Sequence, residues 1–98
     1  MNDLQKQLLE VTKRYTDTKK LLSAVERQYT ALYARLYLDE KITSLKNEEI
    51  RKNTLVLKME NEHKDILDLL EDLRNKTREA YYLYGAIMAV LQNEEEKV

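Results

Sequence analysis

Proline is absent from this 98-residue chain, cysteine is absent, and glycine occurs once. Turns and loops draw on proline for a fixed φ and on glycine for positive φ, so their scarcity argues for long uninterrupted helices. The lack of cysteine excludes a disulfide framework, a thiol nucleophile and a thiolate metal site, and it suits a reducing compartment. With one glycine there is no glycine-rich loop to cradle a phosphate, and no Walker or dinucleotide motif occurs. Phenylalanine and tryptophan are missing too, which leaves seven tyrosines as the only aromatic side chains.

Strong charge of either sign is also lacking. The net charge is −1, and residues 1–40 carry seven Lys/Arg against six Asp/Glu, residues 41–79 nine against nine. A nucleic-acid-binding domain shows a basic excess and a DNA mimic an acidic one, so nucleic acid is not expected as a partner. The uncharged run "AYYLYGAIMAVL", residues 80–91, falls short of the roughly 20 apolar residues that a membrane span needs. The start, "MNDL", has neither a basic region nor an apolar core, so no secretory signal is expected and a cytoplasmic location is.

What is present is heptad periodicity. Leu4, Leu8, Val11, Tyr15, Thr18, Leu22, Val25, Tyr29, Leu32 and Leu36 alternate by four and three residues. Met59, His63, Ile66, Leu70, Leu73, Thr77, Ala80, Tyr84, Ile87 and Leu91 do the same. Such a row is the signature of a helix that packs along its length against another helix. Between the rows, "LDEKITSLKNEEIRK" breaks the pattern. Ser44 and Asn47 can each cap a helix N-terminus, and Glu48 and Glu49 then suit the first turn. Ile50, Thr54 and Leu57 run out of register with the later row, which suggests a kink or break near 58–62.

The fold class expected is all-α: an antiparallel two-helix coiled-coil hairpin pairing into a four-helix bundle. The whole of 1–98 forms one domain, with a helix over about 2–38, a turn at about 39–47, a second helix over about 47–92 and an acidic tail at 93–98. The arms would be about 55 and 68 Å long. Folding back about residue 43 sets Leu4 near Tyr82, so residues beyond about 85 overhang the first arm. Ordering costs about 1–2 kcal/mol per residue in backbone entropy, and one seam between two helices buries little against that. Association follows as the expectation: a homodimer, or docking on a protein partner. The interface residues expected are Tyr81, Tyr84, Gly85, Ile87, Met88 and Leu91. Gly85 and Ala89 allow close helix approach, and the tyrosines (Tyr82 included) combine an apolar body with a polar tip.

One motif suggests metal chemistry. In "ENEH", Glu60 and His63 stand three apart, the spacing that puts a carboxylate and an imidazole on one helical face in di-iron bundles, and Glu26 falls opposite in the hairpin register. Two hairpins of this kind resemble the two-helix encapsulated ferritins in layout. Against it, 18 acidic residues among 98 make an acid three places before a histidine common, and the row makes Met59 the inward residue. His63 as a polar seam residue is the simpler account, so no metal or other cofactor is expected. Lys6, Lys13, Lys20 and Arg27 form a basic stripe at seven-residue spacing that could follow a phosphate backbone. Asp3, Glu10 and Asp17 lie three residues before the first three, where pairing along the helix makes a solvated face.

The leading heptad helix "LQKQLLEVTKRYTDTKKLLSAVERQY", the charged connector "NEEIRK" and the second heptad helix "DILDLLEDLRNKTREAYYLYGAI" together resemble the small helical-hairpin proteins of Gram-positive phages and prophages. The missing thiol, the single histidine and the lack of a phosphate loop argue against an enzyme; the resemblance implies a host-cytoplasmic protein, and some such proteins bind and inhibit host defence or replication proteins, CRISPR nucleases among them. The function expected is therefore a self-associating protein–protein interaction module.

Overall fold

The chain is all-helical among the residues described, 2–96 of a computed structural model, with no strand among them. Four helices follow in order: α1 (Asp3–Tyr37), α2 (Glu40–Thr43), α3 (Glu48–Glu62) and α4 (Lys64–Glu96). The last two residues of the acidic tail lie outside the described residues.

Side-chain caps set the helix ends. At the start of α1, Asn2 Oδ1 accepts from the Gln5 N–H at 2.8 Å and Gln5 Oε1 accepts from the Asn2 N–H at 3.2 Å, a reciprocal capping box. Asp39 opens α2 by accepting from the Lys41 N–H, and Asn47 opens α3 by accepting from the Ile50 N–H, both at 2.9 Å. Ser44 ends α2 instead of opening a helix: its N–H donates to the carbonyls of Glu40 and Ile42. The connector is anchored as well. Ile42 is buried, and Arg51 Nε donates to the Leu45 carbonyl at 3.0 Å.

His63 alone separates α3 from α4, with φ −131° and ψ 33°. The break falls just beyond the 58–62 window, and no proline or glycine causes it. The buried side chains of α3, Leu55 and Met59, are four apart, and His63 is four further on. Successive steps of four carry a stripe around a straight helix, because two turns take about 7.2 residues. The four-three alternation resumes after His63, so the residue that leaves helical geometry is the one where the two spacings meet. Ile50 and Leu57, on the row the sequence suggests for this segment, are exposed.

The molecule divides into two compact units, one built from α1 through Leu22 with α4 from Asp72 onward, the other from Ser23–Glu71. In the second unit Val25, Ile42, Leu55, Met59 and Leu70 are buried, drawn from all four helices. Tyr33 and Tyr37 line one groove with Glu48 and Lys52, numbers that fit a fold-back about residue 43.

In the first unit the register differs. The rings of Tyr15 and Tyr81 lie 6.1 Å apart, whereas a fold-back about residue 43 would set Tyr15 opposite residue 71. Arg14 and Thr18 share a groove with Lys76, Glu79 and Ala80, and Leu22 shares another with Arg74 and Thr77. Rising numbers on α1 thus meet falling numbers on α4, which makes this pair antiparallel. The difference in register arises in the second unit, which takes up residues 48–71 of the returning arm but only 23–37 of α1. The overhang expected beyond residue 85 is therefore corrected: with Tyr81 beside Tyr15, residues 80–91 run alongside the start of α1. Val11, Leu73 and Ala80 form the buried centre of this unit, and between residues 2 and 22 only the heptad positions escape full exposure.

Two threonines sit in the seam without an unsatisfied hydroxyl. Thr18 Oγ1 donates to the Arg14 carbonyl at 2.8 Å and Thr77 Oγ1 to the Leu73 carbonyl at 2.7 Å, each one turn back on its own helix. That local bond removes the penalty of placing a hydroxyl against an apolar seam.

Candidate interaction surface

The segment of α4 that the sequence singles out has one buried residue, Ala80, and a largely exposed remainder. Tyr81, Tyr82, Leu83, Tyr84 and Val90 are exposed, with Tyr82 at 66%. On the α1 side of the same unit Leu9 and Leu21 are exposed too. Scattered single apolar residues are ordinary on a protein surface, whereas these are concentrated in one segment and, at about 100° per residue, spread over several faces of the helix.

Of the six residues expected at an interface, Ile87, Met88 and Leu91 are half-buried, and Tyr81, Tyr84 and Gly85 are exposed. Ile87 and Leu91 continue the seam of Leu73 and Ala80. Tyr84 shares that row yet remains 39% exposed. Ala80, one turn earlier, is completely buried, and a helix pair drawn together at an alanine leaves little depth for a ring one turn on. The tyrosine hydroxyl also gains from water. Met88 lies on the same flank as Tyr81, one heptad further along.

Tyr81 anchors an aromatic cluster. Its ring is tilted 44° to that of Tyr15, and the Tyr82 ring meets it edge-on at 6.1 Å. Lys19 Nζ stands 5.4 Å from the centre of the Tyr15 ring, within the range of a cation–π contact. Tyr15, Tyr81, Tyr82, Arg74 and Arg78 line a shallow groove beside the seam. Tyrosine with arginine is the composition that dominates protein–protein hot spots. The pattern missed this groove because a heptad row scores the seam and ignores the flanks on either side of it. Counting Arg74, Arg78 and Tyr81 as a row of their own would have found it.

The three metal candidates are not brought into a metal-binding cluster. Glu26 and Glu60 are exposed, His63 is half-buried, and no group of three or more His, Cys, Asp or Glu able to hold a metal occurs among the described residues. The i, i+3 argument needs both residues on one continuous helix, and His63 departs from helical geometry. The basic stripe of Lys6, Lys13, Lys20 and Arg27 is exposed, as its seven-residue spacing on the side away from the seam dictates. No helix among the described residues is long and apolar enough to cross a membrane.

No family model matches the chain, and no curated protein or solved structure is significantly similar to it.

Proposed function

We propose that this chain is a non-enzymatic protein–protein interaction module that self-associates into a homodimer through the apolar segment of α4, its two protomers combining into a four-helix bundle. The observation that supports this reading is the set of exposed apolar side chains at Tyr81, Tyr82, Leu83, Tyr84 and Val90, which fan out around α4 on both sides of its packed seam. Burying apolar area contributes about 25 cal/mol per Å², and full burial of a large side chain about 1.5–3 kcal/mol, so several such residues supply a driving force for association. Tyrosines serve this purpose well, since they give large contact area for few rotatable bonds. The chemistry of the chain points the same way: no thiol, one histidine and no phosphate-cradling loop leave little for catalysis.

Light scattering over a dilution series tests the reading. The wild type is expected to have twice the protomer mass at high concentration and to dissociate on dilution. Tyr82→Glu, at an exposed position, should keep its helical circular dichroism and remain monomeric. A wild type that stays monomeric at millimolar concentration refutes self-association, and the segment then becomes a docking site for a different protein. A Tyr82→Glu variant that dimerises like the wild type removes this segment from the interface.

A further inference from the structure

Gly85 is the one glycine of the chain and lies in the interior of α4, where glycine destabilises a helix by about 1 kcal/mol relative to alanine. Nothing inside the protein calls for it. Beyond its chain neighbours and the backbone of its own helix, a Cβ built at Gly85 would meet no atom within 4 Å, and the chain has no positive φ there. A helical glycine with open space around it lets another backbone come close.

The residues in line with Gly85 form a second row on α4, distinct from the seam. Arg74, Arg78, Tyr81, Gly85, Met88, Gln92 and Glu95 alternate by four and three, and all but the half-buried Met88 are exposed. Tyr82 and Ala89 flank the row on its outer side. Charge changes along it: basic at Arg74 and Arg78, apolar from Tyr81 to Ala89, acidic at Glu95. From Arg74 to Glu95 the row is about 32 Å long at 1.5 Å rise per residue.

A row that is basic at one end, acidic at the other and narrow in the middle is complementary to itself when reversed. We infer that two copies of this chain pair α4 against α4 antiparallel, crossing at Gly85, in a two-fold symmetric contact. This rests on the self-association proposed above and specifies its geometry. Reversal about residue 85 sets Arg78 of one protomer beside position 92 and within one turn of Glu95 of its partner, and symmetry supplies the same pair a second time. Tyr81 of one protomer falls opposite Ala89 of its partner and Met88 opposite Tyr82, and Gly85 meets Gly85. A parallel pairing would instead align Arg78 with Arg78 and Glu95 with Glu95, placing like charges together at both ends.

Charge reversal discriminates these arrangements. In an Arg78→Glu dimer both pairs become Glu–Glu, and in a Glu95→Arg dimer both become Arg–Arg. An equimolar mixture of the two variants forms a heterodimer in which both pairs are again opposite in charge. By sedimentation at low salt, each variant alone should dimerise about tenfold or more weakly than wild type, and the mixture should regain wild-type dimerisation. Both substitutions are at exposed positions, so neither threatens the core. Gly85→Leu gives a second test: it improves helix propensity, enters open space within the protomer and blocks close approach. It should be fully helical and monomeric. If the wild type dimerises while the mixture shows no recovery over its components, the antiparallel register is overturned. The same follows if Gly85→Leu dimerises normally, or if each charge variant alone dimerises as tightly as wild type and Arg78→Glu mixed with wild type dimerises more tightly, as a parallel pair would. In each of these results self-association itself survives, whereas a monomeric wild type refutes both.

Discussion

Leu55 and Leu57 are two residues apart on α3 and differ sharply in burial, so substituting each by alanine tests the fold. Leu55 is completely buried, while Leu57 is 62% exposed. Truncating a fully buried leucine removes its transfer free energy and leaves a cavity, a loss of about 2.7–5 kcal/mol. Small domains are stable by about 5–15 kcal/mol, so Leu55→Ala removes a large part of the total. Leu57→Ala gains slightly in helix propensity and loses little burial, which should keep it within about 0.5 kcal/mol of wild type. The assay is urea denaturation followed at 222 nm, at a concentration where the wild type is monomeric. With an m-value of about 1.5 kcal/mol/M, a loss of 3 kcal/mol lowers the midpoint by about 2 M. The reasoning fails if Leu57→Ala shifts the midpoint as far as Leu55→Ala does. That result would mean the α3 stripe follows the row of Ile50, Thr54 and Leu57 and the steps of four that end at His63 do not exist.

Two smaller perturbations address the local devices. Asn47→Ala should destabilise by about 1 kcal/mol in the same titration, because the Ile50 N–H loses its side-chain acceptor, and Asn47→Asp should restore most of it. A loss below about 0.3 kcal/mol for the alanine variant would show that water caps α3 equally well. Thr77→Val should lie within about 1 kcal/mol of wild type, since the hydroxyl bonds only to the Leu73 carbonyl on its own helix and the methyl replaces it in the seam. A loss of more than about 2 kcal/mol would reveal a hydroxyl partner elsewhere.

Much of this architecture is legible in the residues. The four-three row from Leu4 to Leu36 is buried or half-buried throughout, and the row from Met59 to Leu91 is so except at Tyr84. The seam reads well because each of its members meets the same demand at every turn. The register within the antiparallel unit was not legible, and neither was the α2 helix. A hairpin's register depends on how much chain the connector and first turns consume, and short polar stretches such as "LDEKITSLKNEE" give no period to count. Ile42 buried inside the connector and the cap at Asp39 are individual contacts, visible only once the chain is folded, whereas the Asn47 cap is legible in the residue type and its place before Glu48 and Glu49. The candidate surface was half legible: "AYYLYGAIMAVL" announces itself by lacking charge, but which of its faces is left over depends on the pairing of Tyr81 with Tyr15.

Two features of the sequence conflict with an otherwise consistent helical design, and the fold resolves only one of them. The first is the spacing of Leu55, Met59 and His63, and the non-helical backbone at His63 absorbs it. The second is Gly85. Its neighbours on α4 are strong helix formers or large apolar residues, its φ is ordinary, and among the described residues nothing beyond its chain neighbours and its own helix backbone comes within 4 Å of the place its missing side chain leaves. On the antiparallel pairing proposed above, a contact outside the chain balances the weakening of the helix at Gly85. The exposed Tyr81 and Tyr82 beside it, and the opposed charges of Arg78 and Glu95 at either end, describe the surface that would provide that contact: another copy of the same helix, reversed.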